Sequence, residues 1–144
     1  KQRALLWEVR VMLKTFFYLY LCYSSAAHLP PSSWGVCAKV AIRAERASLN
    51  PLEVIALSYV ETRHREDLTS PAGAKGALQA LPKYWRCKDA PKDHICAGLK
   101  AWTYYRSRSN SPLEAIGKYN GGGTKTRYAR TFSKHLRRLK RLTR

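Results

Sequence analysis

The chain has 144 residues, of which 27 are Lys or Arg and 9 are Asp or Glu, so its net charge at pH 7 is +18. This length is sufficient for one domain with a hydrophobic core, and the sequence contains no internal repeat that would indicate a repeat protein. The charge predicts attraction to polyanions such as nucleic acid, anionic lipid or cell-wall polymers. Because no nucleic-acid-binding motif accompanies the charge, we do not expect nucleic acid as a specific ligand.

A hydrophobic segment occupies residues 1–33 and closes with a Pro-Pro linker. Its uncharged run of apolar and small residues, 15–27, follows a basic stretch that includes Arg3, Arg10 and Lys14. This order resembles the hydrophobic region and cleavage site of a signal peptide. The uncharged run is too short to span a bilayer by itself. The segment is therefore interpreted either as a membrane anchor, with or without an export signal, or as a helix docked on a partner protein.

Local signals predict an unusually apolar helix that ends near Glu61. Asn50 is a suitable N-cap, Pro51 occupies the first helical position and Glu53 the third, and the apolar run 54–60 follows. These signals place Glu61 close to the C-terminus of the helix.

Glu61 is the main candidate for a catalytic residue. On a 3.6-residue period it shares a face with Val54, Leu57 and Ser58, so its side chain is expected to point toward the protein rather than clearly into water. Burial and the negative end of the helix dipole both disfavour the charged carboxylate and raise its pKa, as a general acid requires. The alternative for an isolated Glu is a solvated side chain at a fraying helix end.

Polar and small residues follow Glu61 at spacings that carry further information. The residues concerned are Thr62, Ser70, Gly73, Ala74, Gly76, Ala77, Leu78 and Gln79. A separate group, residues 118–122 with the sequence KYNGG, follows a helix predicted to begin at Ser111.

These segments resemble three motifs of the soluble lytic transglycosylase catalytic domain, a relative of goose-type lysozyme. That family shows E-S, then, beginning eight positions after that S, S-x-x-G-A-x-G-L-M-Q, and later A-Y-N-x-G. The resemblance covers residues 34–133 and implies a mainly α-helical, lysozyme-like domain. The small size and strong basicity would suit a virion-associated phage member or a wall-opening component of a secretion apparatus.

The resemblance implies a reaction on peptidoglycan in which Glu61 acts twice. As an acid it protonates the glycosidic oxygen between MurNAc and GlcNAc, and as a base it then activates the 6-hydroxyl of that MurNAc. The N-acetyl group assists at the anomeric carbon, so the product carries a 1,6-anhydro-MurNAc end and no water is consumed. No metal or organic cofactor is implied.

The resemblance also implies roles for the residues around Glu61. Thr62 replaces the usual serine but keeps a hydroxyl that would orient Glu61, and Tyr119 would hold Glu61 in place. Lys118 replaces a small residue and would add positive charge near the cleft. The remaining expected substrate-binding residues are Ser70, Gly76, Gln79 and Asn120. Without the motifs, a Tyr at a helix end and an Asn-Gly-Gly sequence have ordinary structural roles in packing and helix termination.

Hydrolysis of a glycoside usually requires a second carboxylate, and this chain offers few. Beyond Asp93 the only acid is Glu114, which is placed to close a helix capping box with Ser111. Glu66 and Asp67 remain, in a segment where solvated side chains are expected. The enzymatic alternative is a lysozyme in which Glu66 or Asp67 holds a water molecule. The other alternative is a non-catalytic assembly protein that retains the fold.

Four cysteines are enough for two disulfides. Cys87 and Cys96 bracket a polar loop, and Cys22 and Cys37, for which pairing is less strongly indicated, flank the Pro-Pro linker. Disulfides would fit a protein that works outside the cytoplasm, at the cell wall or on a virion. The histidines and cysteines form no closed ligand pattern, so no metal site is expected. The four histidines are His28, His64, His94 and His135.

A basic tail occupies residues 134–144, where leucines recur at helical spacing among cations. These residues are Lys134, Leu136, Arg137, Arg138, Leu139, Lys140, Arg141, Leu142 and Arg144. Either the leucines pack on the core and the charges are solvated, or the tail contacts a membrane surface or nucleic acid. The expected partners are thus glycan strands of peptidoglycan and, through the N-terminal segment and the tail, an anionic membrane or another protein.

Overall fold

The computed structural model describes residues 1–144, which form seven helices and no strand other than isolated bridges. The helices are α1 (Gln2–Ser25), α2 (Pro31–Arg46), α3 (Pro51–Thr62), α4 (Pro82–Trp85), α5 (His94–Ser107), α6 (Pro112–Asn120) and α7 (Arg127–Leu142). The prediction of a mainly α-helical fold is confirmed.

Helix α3 begins where its sequence signals place it. The side-chain oxygen of Asn50 accepts hydrogen bonds from the backbone N–H groups of Leu52, at 2.9 Å, and Glu53, at 3.4 Å. At the other end Arg63 adopts a left-handed backbone conformation, with φ of 54°. The left-handed cap stops the helix directly after Glu61 and Thr62 and turns the chain into the loop 63–81.

The core is built around α3, which packs between α2 and α7. The side chains of Val54, Ile55, Leu57 and Ser58 are fully buried, as expected for a helix that is apolar on nearly every side. Burial of each large aliphatic side chain contributes about 1.5–3 kcal/mol to stability. The helix that carries Glu61 is thus a rigid part of the molecule.

Both ends of the chain contribute to this same core. Tyr18 and Leu21 of α1 and Leu136 and Leu139 of α7 are buried in it. The predicted boundaries at residues 33/34 and 133/134 fall inside α2 and α7 respectively. Composition changes at those positions, but the helices continue because their apolar faces pack on α3.

Two disulfides are formed, and no cysteine is free. Cys22–Cys37 joins the last turns of α1 to α2, and Cys87–Cys96 joins the loop after α4 to the first turn of α5. A disulfide that closes a loop of this length lowers the entropy of the unfolded chain and so stabilises the fold by on the order of 2–3 kcal/mol.

Candidate functional site

Glu61 lies in the last turn of α3 with its side chain partly buried. Burial raises the pKa of this carboxyl to about 7, and a hydrogen bond from the hydroxyl of Tyr128 opposes the shift. Desolvation is the larger effect, so near neutral pH both the protonated and the ionised forms are populated. A group in that condition can both donate and accept a proton.

Each of the other eight carboxylates is either exposed to solvent or paired with a cation. Glu8 and Asp89 are exposed, and the remaining six form ion pairs. The pairs are Lys14–Glu45, Lys39–Glu66, Arg43–Asp93, Arg65–Asp67, Arg106–Glu53 and Lys118–Glu114. Glu61 is therefore the one partly buried carboxylate that is bonded to a neutral phenol instead of a cation.

Tyr128 is the hydrogen-bond partner of Glu61, and the motifs of the sequence did not indicate it. It lies in the first turn of α7, which is capped by Thr126, whose hydroxyl oxygen accepts the N–H of Ala129 at 3.1 Å. Burial and the nearby charge of Glu61 raise the pKa of Tyr128, so the phenol remains a proton donor. One sequence signal was available: Tyr128 precedes Phe132 by four residues on the apolar face of α7, and a phenol on a buried face needs a hydrogen-bond partner.

Tyr119 does not hold Glu61, contrary to the expected role. Its hydroxyl donates to the backbone carbonyl of Leu78 at 2.6 Å, which fastens α6 to the loop 63–81. Burial is the main reason that the pKa of Tyr119 is raised, and the negative charge of Glu61 raises it further. This phenol is therefore also protonated, and it interacts electrostatically with the Glu61 carboxylate. Tyr119 thus helps to shape the surroundings of Glu61 without bonding to it.

Thr62 also differs from its expected role. Its buried hydroxyl donates a hydrogen bond to the carbonyl oxygen of Ala77 at 2.9 Å and accepts one from the N–H of Arg65 at 3.1 Å. These bonds leave the Thr62 hydroxyl directed at the loop rather than at Glu61. Thr62 and Tyr119 therefore hold adjacent residues of the same loop, Ala77 and Leu78, from two different helices.

Gln79 is held in a backbone conformation that non-glycine residues seldom adopt, with φ of 54°. Its side-chain amide donates to the carbonyls of Gly76, at 2.8 Å, and Leu68, at 3.1 Å. Such backbone strain costs on the order of 1 kcal/mol and persists only where the surrounding structure enforces it. The loop thus fixes Gln79 in one place next to the residues held by Thr62 and Tyr119.

The other predicted substrate-binding residues divide into two groups. Ser70 and Gly76 shape the loop: the Ser70 hydroxyl oxygen accepts the N–H of Ala74 at 3.0 Å, and Gly76 has φ of 78°. Asn120 is exposed at the end of α6, directly before the left-handed cap Gly121. Asn120 is therefore the one member of the predicted set whose side chain is freely presented to solvent.

Lys118 does not add a free charge near Glu61. Its ammonium group pairs with Glu114 at 3.2 Å and donates to the carbonyl of Arg108 at 2.6 Å. Glu114 in turn accepts the N–H of Asn110 at 3.0 Å, while its own N–H donates to Ser111. These contacts cap α6, so Glu114 has the structural role that its spacing predicts.

A cavity of about 560 Å³ lies elsewhere, between α2, α4 and α5. Its lining includes four cations, among them Arg43 and Lys100, and no carboxylate. Glu61 is not among the residues that line this cavity. No cluster of three or more His, Cys, Asp or Glu side chains is arranged to hold a metal ion.

Comparisons with known proteins give no match: neither a protein-family model, nor a curated protein, nor a solved structure is similar to this chain.

Proposed function

We propose that this chain is a peptidoglycan lytic transglycosylase that cleaves the β-1,4 bond between MurNAc and GlcNAc without water, with Glu61 as its acid and base. The observation that carries the proposal is the state of Glu61: partly buried, with a pKa raised to about 7, and bonded to the Tyr128 hydroxyl instead of a cation. The motif spacing around Glu61 supplies the substrate class.

The proposed reaction needs one carboxyl group for two proton transfers. Protonated Glu61 gives its proton to the glycosidic oxygen, and the bond from that oxygen to C1 of MurNAc breaks. The N-acetyl group stabilises C1 as positive charge develops there. The Glu61 carboxylate then takes the proton of the 6-hydroxyl, whose oxygen bonds to C1. The products are a free 4-hydroxyl on GlcNAc and a 1,6-anhydro-MurNAc end, and Glu61 is protonated again.

Tyr128 has a defined part in this cycle. Its hydroxyl can donate to Glu61 most strongly when Glu61 is ionised, because hydrogen bonds to a charged acceptor are stronger than those to a neutral one. The bond therefore stabilises the carboxylate left after the first proton transfer. We assign Tyr128 as a positioning residue for Glu61.

The two carboxylates that a water-using mechanism would need already form ion pairs. Glu66 pairs with Lys39 at 2.7 Å, and Asp67 pairs with Arg65 at 3.3 Å, and both acids are exposed. The hydrogen bond from Arg65 is the main reason that the pKa of Asp67 is lowered. An exposed carboxylate with a lowered pKa is poorly suited to activating water as a base.

A partly exposed aromatic ring next to Tyr119 offers a surface for a sugar ring. The ring of Tyr105 lies 5.9 Å from that of Tyr119, measured between ring centroids. The net charge of +18 favours binding to an anionic wall, and the two disulfides fit an oxidising compartment. These features support the proposal that the enzyme acts outside the cytoplasm, at the cell wall or on a virion, where it would open the wall locally.

Mass spectrometry of the muropeptides released from purified peptidoglycan tests the proposal. The parent chain is expected to release anhydro-MurNAc ends, Glu61→Gln none, and the matched control Glu66→Gln the same ends as the parent. Reducing ends from the parent would indicate a lysozyme, and their loss in Asp67→Asn would identify its second carboxylate. Glycan binding without any released product would indicate the non-catalytic assembly protein.

A further inference from the structure

The side of α1 that faces away from the core is apolar along its whole length. The buried residues Tyr18, Leu21, Cys22 and Ser25 lie on one side of the helix. Large hydrophobic residues at helical spacing occupy the opposite side, and each is at least 42% exposed. We call this set the α1 outer face: Leu5, Leu6, Val9, Met12, Leu13, Phe16, Phe17, Tyr20 and Tyr23.

The α1 outer face is too large and too continuous to be an ordinary protein surface. From Leu5 to Tyr23 it extends about 27 Å along the helix axis. Single exposed hydrophobic residues are common, but a contiguous apolar patch of this size marks a surface that something covers. In the first ten residues every side chain is exposed, so this part of α1 is solvated on all sides.

The charges next to the α1 outer face indicate the chemistry of what covers it. Arg3, Arg10 and Lys14 follow one edge of the face at helical spacing, and Glu8 is the only acid in the helix. Arg3 and Arg10 form no ion pair, and Lys14 pairs with Glu45 of α2 while remaining exposed. An apolar surface bordered by free cations is complementary to a bilayer with anionic headgroups.

The basic side of α7 adds to this attraction. Its exposed residues include Lys134, Arg137, Lys140 and Arg141. Arg138 donates to the backbone carbonyl of Ser24 at 3.2 Å, so α7 touches the end of α1. A second copy of the chain is a less suitable partner for the α1 outer face, because each copy carries a net charge of +18 and the copies repel.

We infer that α1 is an interfacial helix that lies in the plane of an anionic lipid surface, with its outer face among the acyl chains and its flanking cations at the headgroups. None of the seven helices combines the length and the apolarity needed to cross a bilayer. Tyr20 and Tyr23 belong to the α1 outer face, and tyrosine is favoured at the boundary between headgroups and acyl chains. Lipid binding goes beyond glycan cleavage and does not depend on it.

Vesicle co-sedimentation of the full chain tests the inference. We compare vesicles of phosphatidylcholine alone with vesicles that contain phosphatidylglycerol and phosphatidylcholine. The variant Phe16→Asp places a charge in the centre of the α1 outer face, at a side chain that is 61% exposed. The matched control Tyr84→Asp makes the same change of charge at a side chain that is 65% exposed and lies in α4. Circular dichroism verifies that both variants keep the helical fold.

The expected result is binding to the anionic vesicles, at least a tenfold weaker affinity for Phe16→Asp, and parental affinity for Tyr84→Asp. Leu13→Asp, on the same face, is expected to behave as Phe16→Asp. Equal affinity in all variants would overturn the inference, because the basic surface would then bind without α1. Absence of vesicle binding, or a dimer in analytical ultracentrifugation that Phe16→Asp dissociates, would also overturn it. Muropeptide release tests the catalytic proposal separately, so the two can fail independently.

Discussion

The hydroxyl of Tyr128 donates a hydrogen bond to the carboxylate of Glu61, and so joins the end of α3 to the beginning of α7 across 67 residues of sequence. Burial alone would raise the pKa of Glu61 further, and this bond holds it at about 7. The bond thus positions the carboxylate and limits how far burial raises its pKa.

Replacing Tyr128 by Phe is expected to lower the rate of glycan cleavage by about ten- to a hundredfold, since general acid–base catalysis depends on a positioned group. The Glu61 pKa should rise, because the interaction that lowers it is lost while its burial remains. The alkaline limb of the pH–rate profile, where Glu61 loses the proton that it must donate, should therefore move to higher pH. The control is Tyr59→Phe, which removes a phenol that contacts His28. An unchanged pH profile in Tyr128→Phe would contradict the assigned role.

Tyr119→Phe is expected to act on stability rather than on the proton transfer. It removes the donor to the Leu78 carbonyl and leaves that carbonyl without this partner, at a loss of about 1–2 kcal/mol in the free energy of unfolding. Urea denaturation followed by circular dichroism measures the loss. Because Tyr119 does not bond to Glu61, its variant should keep the parental pH profile. A shifted profile without loss of stability would instead favour a direct role at Glu61.

Local signals predicted the helix that carries Glu61, whereas long-range contacts decided what surrounds the carboxylate. Asn50, Pro51 and Glu53 act within one turn of each other, so the beginning of α3 can be recognised from sequence. Thr62 and Tyr119 bond to loop residues 15 and 41 positions away, and no periodicity specifies such pairs.

The limits of the N-terminal segment and the basic tail could not be predicted for a related reason. Composition and charge change near residues 33 and 133, but packing on α3 decides where α2 and α7 begin and end. The leucines show this directly: Leu136 and Leu139 are buried, whereas Leu142, at the end of α7, is 37% exposed. The alternative that the leucines pack on the core therefore holds for two of the three.

Gly76→Ala is expected to destabilise the loop 63–81 by at least about 1–2 kcal/mol. A Cβ at this position would lie 2.8 Å from the Cβ of His94, and φ of 78° disfavours any L side chain. The matched control is Gly35→Ala in α2, where an added Cβ meets no atom within 4 Å and alanine raises helix propensity by up to about 1 kcal/mol. Thermal unfolding of both variants measures the contrast. Equal stability of the two would mean that the loop has a different conformation in solution.

Glu61→Gln is expected to stabilise the fold in a pH-dependent way. The ordinary pKa of this carboxyl is 4.5, and burial raises it to about 7 in the folded chain. Between these values the folded state binds more protons than the unfolded state, so ionisation of Glu61 lowers the free energy of unfolding as pH rises. The full effect above pH 7 amounts to about 3 kcal/mol at most.

A glutamine carries no charge, so the variant should gain stability over the parent from about pH 4.5 upward and reach its maximum gain above pH 7. The difference between the two proteins cancels other titrations, such as those of His64 and His135, whose pKa values burial lowers. Urea denaturation at pH 4, 6 and 8 measures this difference, with Glu66→Gln as the exposed control. A constant difference across these pH values would show that the Glu61 pKa is not raised by folding, and would remove the main support for its role as acid and base.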